Sequence, residues 1–177
     1  MREQEERAQD FVAWLQEHGD DRGLMAELRR GLAHDREWRA WKHLARWCDL
    51  TRGEQRLAFA TVGGGFATHP RNAATGNLGD TARAIAIDSA PGGADPLGSF
   101  EGRFRRLLTC ESIPELAERV GAMVRAAKQR EIAINYGQLL TDILSFRWPK
   151  SRERTKIRWA AAFWRSAPEP GETGEAG

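Results

Sequence analysis

The chain has 177 residues, 41% of them hydrophobic, and a formal net charge of +2. That length suits one domain able to bury about two thirds of its unfolded surface, and its only cysteines, Cys48 and Cys110, exclude a disulfide framework. It holds no apolar run of the roughly 18 residues a membrane span needs, and "MREQEERAQD" lacks the apolar core of a signal peptide, so a cytoplasmic location with reduced thiols is expected.

Periodicity predicts helices almost throughout. The first spans Glu5 to Glu17, with Ala8, Phe11, Val12 and Leu15 on one face. A short helix, "LMAELRR", ends at Gly31 as a C′ glycine. A third runs from an Asp35 N-cap to about Leu50, with Trp38, Trp41, Leu44, Ala45 and Cys48 facing the core. Arg36, Arg39, Lys42 and Arg46 lie opposite, and Trp47 falls outside the apolar arc. A fourth covers Gly53 to Val62.

From Gly63 to Ser99 the glycines and prolines read as exposed loops, broken by one helix, "NLGDTARAIA", starting near Asn77. In "FEGRFRRLL", Phe100, Phe104, Leu107 and Leu108 share a helix face that excludes Arg103, Arg105 and Arg106. Gly102 weakens that helix and suggests a start beyond it. Ser112 and Glu115 form a capping box for a helix to about Gln129, and Asn135 with Gln138 caps another from Tyr136 to Phe146. Pro149 stops that helix, and a last one runs from Ser151 to Arg165. Strand-type alternation is absent. The expected class is all-α, with about eight or nine helices, an N-terminal bundle over 1–98, a C-terminal bundle over 99–166, and a disordered acidic tail over 167–177.

The small net charge conceals a segregation. Residues 1–28 carry three basic and eight acidic side chains, and residues 166–177 add three acids and no base. Between Arg29 and Arg165 the balance is 24 basic to 14 acidic. Arginine outnumbers lysine 23 to four, and its planar fork suits phosphate. Cations concentrate at Arg29–Arg30, at Arg36–Arg56, at Arg103–Arg106 with Arg125 and Lys128, and at Arg147–Arg165. One such stripe is ordinarily a solvated face. Four of them, with acids moved to the ends, point to a polyanion bound through its backbone without base reading.

Catalytic constellations are missing. "GGG" at Gly63–Gly65 lacks the Gly-Lys-Ser/Thr ending of a phosphate-cradling loop and reads as a flexible connection. "HD" at His34–Asp35 suggests a metal-dependent phosphohydrolase, but His18, His43 and His69 supply no ligand spacing. No enzyme activity, cofactor or metal is expected. A purely architectural spacer with solvated basic faces is the alternative to a nucleic-acid binder.

"SFEGRFRRLL", then "INYGQLLTDILSFRWP" and "IRWAAAFW", resemble the CasB family, the small subunit of the type I-E CRISPR Cascade complex. "AELRRG", "FATHP" and "NLGDTARA" match it in the same order. The resemblance implies two helical bundles and a non-catalytic antiviral role. It implies as partners the other Cascade subunits, a second copy of the chain, guide RNA, and the target and displaced DNA strands. Carried over by position, the phosphate contacts are Arg30, Arg52, Arg103 and Arg125, with Arg106 and Arg154 in support.

Overall fold

The computed structural model describes residues 2–32, 36–90 and 95–165. The His34–Asp35 pair and the acidic tail lie outside them. Among the described residues there are nine α-helices, two 3-10 turns and no strand; one isolated bridge joins Asn72 to Ile134. The all-α class expected from periodicity is the observed one.

The helices are α1 (Arg2–Glu17), α2 (Arg22–Arg29), α3 (Trp41–Leu44), α4 (Gly53–Thr68), α5 (Leu78–Ser89), α6 (Gly98–Leu108), α7 (Ile113–Gln129), α8 (Tyr136–Ser145) and α9 (Pro149–Trp164). Several begin where a side chain can accept an orphan amide hydrogen. Asp21 takes the N–H of Leu24, and Asn135 takes that of Gln138, each at 3.0 Å. At α5 the box is reciprocal: Asn77 accepts from Gly79, and Asp80 returns to the Asn77 N–H. At α7, Ser112 accepts from Glu115, but the Glu115 carboxylate reaches the N–H of Glu111 instead of the cap residue.

α4 lies at the centre, packed against α2, α7 and α8. Here one expectation fails. Gly63–Gly65 are buried inside α4, not a flexible connection, and the helix continues to Thr68. Each glycine meets a different neighbour. A Cβ at Gly63 would touch Phe11 and Leu28, and one at Gly65 would press on Tyr136 and Val124 at 3.3 Å. At Gly64 it would overlap Leu32 at 2.8 Å and the Leu28 carbonyl at 2.9 Å. Close helix packing therefore overrides the poor helix propensity of three glycines. The same approach governs Gly31, whose absent side chain leaves room for the Ala60 carbonyl.

The expected helix over Asp35–Leu50 is also corrected. The described part is a 3-10 turn, Glu37–Arg39, followed by the single turn α3 and further turns. The buried row is Glu37, Ala40, Leu44 and Cys48, rotated from the expected one. Trp38 and Trp41 stay 57% and 38% exposed, while Trp47 packs edge-on to Phe11, 5.4 Å between centroids. Glu37 explains the rotation: its carboxylate accepts from Arg56 at 2.9 Å and from the Trp41 indole at 3.3 Å. That pair draws the acid inward and leaves the indole under the Arg56 guanidinium.

α6 begins at Gly98, so Gly102 is interior to it, contrary to the later start expected. α8 and α7 pack on α4, α8 packs on α1, and α9 packs on α5. These contacts cross the boundary expected at residue 98, and one hydrophobic cluster draws on helices from both sides of it. Among the described residues no helix is long and apolar enough to cross a membrane.

Candidate nucleic-acid interface

α6 carries Phe100, Phe104 and Leu107 into the core, as its spacing predicts. Phe104 stacks on Phe163 of α9 with centroids 4.0 Å apart, which fixes the rotation of α6 and turns its arginines outward. The three then differ. Arg105 bonds to Glu101 one turn earlier and lies over the Trp164 ring. Arg103 and Arg106 have no carboxylate within ion-pair distance among the described residues; the Arg103 guanidinium lies 5.7 Å from the Phe100 centroid.

Opposite them, α7 contributes Arg119, which lines the same recess as Arg103 and Arg106. The nearby Cys110 thiol donates to the Arg106 carbonyl, and its proton is held more tightly because burial disfavours the thiolate. Arg119 was not among the residues chosen from sequence. The signal was present: it precedes Met123 by four, so it borders the core face on the flank nearest α6.

Six residues along α7, or about 9 Å of rise, stands Arg125. Its guanidinium comes within 3.6 Å of where a Cβ at Gly121 would sit, and a Leu32 methyl within 4.0 Å of the same point. The Arg30–Leu32 turn is therefore beside Arg125, seated there by the α4 glycines. Arg30 and Arg125 have no ion-pair partner among the described residues. Arg103, Arg106 and Arg119 thus form one cationic group, and Arg125 stands further along α7, near the turn that carries Arg30.

The other two sequence-chosen arginines lie elsewhere. Arg52 lines a separate cleft of about 420 Å3 with Arg7 and Arg147 and is 3.3 Å from Asp49. Arg154 is on the exposed side of α9, about half a turn around from Arg152 and Lys156, the residues that face Glu111.

Ion pairing separates the basic stripes. Within Arg36–Arg56, Lys42 pairs with Glu27 at 2.9 Å, Arg56 with Glu37, and Arg46 covers the Trp47 ring. In the last stripe, Arg152 holds Glu111 at 2.7 Å, Arg165 holds Asp80 at 2.7 Å, and Arg158 holds Asp142 at 2.7 Å. Asp142 is fully buried and also accepts from the Trp159 indole and Gln138. Burial pushes its carboxyl above the usual range against the pull of those donors. These cations hold helices together. In the first and third stripes, Arg29 is taken up by the Ala67 carbonyl at 2.7 Å and Arg105 by Glu101, whereas Arg30, Arg103, Arg106 and Arg125 have no carboxylate partner among the described residues.

The sequence profile of the CRISPR-associated protein Cse2 family matches residues 24–164. The fold is similar to the crystal structure of CasB from Thermus thermophilus, with a TM-score of 0.69 and 22% identity over 90% of this chain and 98% of that one. M. ruber CasB gives 0.69 and 25% over 90% and 93%, and CasB from Thermobifida fusca gives 0.62 and 18% over 90% and 94%. No curated protein sequence matches the chain.

Proposed function

The chain belongs to the CRISPR-associated Cse2 family, and we propose that it is a non-catalytic small subunit of a type I-E RNA-guided Cascade complex in the cytoplasm. There it contacts the backbone of the guide–target hybrid and of the displaced DNA strand. Strand exchange is close to balanced in base-pair energy, so a few phosphate contacts made only in the opened state shift it toward target capture. Guide RNA, both DNA strands, the other subunits and a second copy of the chain are the proposed partners.

The observation that carries this reading is that Arg103, Arg106 and Arg119 have no carboxylate partner among the described residues, on a molecule whose other arginine-rich helix is tied to acids. Arg30 and Arg125 extend the contact across α7. Arg52, with Arg7 and Arg147, forms a second point of contact, and Arg154 a third, further away.

The test is binding to single-stranded DNA across a salt series. Each neutralised phosphate contributes a log–log slope of about −0.7, so Arg103→Ala/Arg106→Ala/Arg119→Ala should flatten the slope by about 2. The same variant should slow target opening by the assembled complex. An unchanged slope with unchanged opening overturns the reading. The exposed Trp38, Trp148 and Ile157 favour protein contacts as well; crosslinks from Arg103 and Arg125 to protein alone would make the chain a spacer.

A further inference from the structure

Beneath Arg103, Arg106 and Arg119, the facing sides of α6 and α7 leave a recess of about 160 Å3. Its floor is Phe100, Leu107 and Met123, with Ala122 at the mouth. We propose that this recess receives a single unpaired nucleobase, while the three arginines hold the phosphates on either side of it. The proposal rests on the nucleic-acid reading above and adds what that reading lacks, a means of telling a single strand from a duplex.

The chemistry of the recess narrows its occupant. The floor residues are aromatic or aliphatic, so they offer dispersion to a flat apolar surface. The rim is cationic, so the occupant carries negative charge beside that surface. Of the acids near it, Glu101 is engaged by Arg105, and Glu115 by the Glu111 N–H. A nucleotide within a strand has both parts in one unit. An acidic peptide has the charge without the ring beside each carboxylate, and a duplex has its rings already stacked away.

Volume adds a second restriction. A slot between two packed helices takes one ring system and excludes a base pair. Bringing a base out of a duplex costs a few kcal/mol, whereas a displaced strand presents it without that cost. Recognition through a π-face is indifferent to sequence, because every base has one. Arg103, already over the Phe100 ring, places a guanidinium at the rim where it can stack on an entering base.

The experiment compares a dye-labelled thymidine oligomer with an abasic deoxyribose-phosphate strand of equal length, using the full chain and anisotropy at low salt. The wild type should bind the thymidine strand about tenfold more tightly, the ratio that one stacked base confers. Ala122→Trp, which plugs the mouth without removing an arginine, should abolish that ratio, with the loss confined to the base-bearing strand. Ala122→Leu is a smaller plug on an exposed helix position and should reduce the ratio in the same direction; circular dichroism confirms that both fold. Equal wild-type affinity for the two strands, or an equal loss on both in the plugged variants, sinks the recess and leaves the backbone reading standing. No binding to either strand sinks both.

Discussion

α9 and the α6–α7 face are built from similar material and do different work. Each is a helical surface rich in arginine. On α9 and at its C-cap, Arg152, Lys156, Arg158 and Arg165 reach Glu111, Asp142 and Asp80, and so tie α9 to the start of α7, to α8 and to α5. On α6 and α7, Arg103, Arg106, Arg119 and Arg125 reach no carboxylate among the described residues. Arginine density along a sequence therefore does not separate a structural cation from a binding one. The position of the acid does, and the acids that matter here are 16, 41 and 85 residues away.

The contrast can be broken most severely where α9 meets α8. Asp142→Ala should cost about 3 kcal/mol, because it strands the Trp159 indole, Gln138 and Arg158 around a buried vacancy; urea denaturation measures it, and Asp142→Asn should recover part of the loss. On α6 the sign reverses. Gly102 is interior to the helix and an added Cβ would meet nothing within 4 Å, so Gly102→Ala should raise stability by about 1 kcal/mol.

Smaller effects sharpen the same line. Replacing Arg103, Arg106 and Arg119 together by alanine should change unfolding free energy by no more than about 0.5 kcal/mol, because no ion pair is lost. A larger loss would make these arginines structural too. The smallest effect is in acid. A hydrogen bond from Lys156 holds the Glu111 carboxyl below its ordinary range, so its contribution is present above about pH 4.5 and fades as pH falls through the lowered value. Glu111→Gln should remove that part of the acid slope in a pH series of melts.

Much of this architecture was readable beforehand because it is local. Ser112, Asn135 and Asn77 announce helix starts within four residues, and Phe100, Phe104 and Leu107 define a face within two turns. Arg103 and Arg106 follow from that face. What escaped was decided at long range. Gly63–Gly65 look like a linker until Leu32, Phe11 and Tyr136 are brought against them. Trp38 and Trp41 look like core until Arg56, far along the chain, draws Glu37 inward. Arg119 gained meaning only when α6 packed beside it.

The notch in α4 at Ala60 and Gly64 has one more consequence. It holds Gly31 and Leu32 with no slack, so the placement of the turn that carries Arg30 is dictated by missing atoms. A methyl at Gly64 would displace that turn bodily, and a cation lost to phosphate in this way would leave the charge of the molecule unaltered. Gly64→Ala and Arg30→Ala should then look alike in a binding assay and unlike in a titration, one failing by misplacement and the other by subtraction.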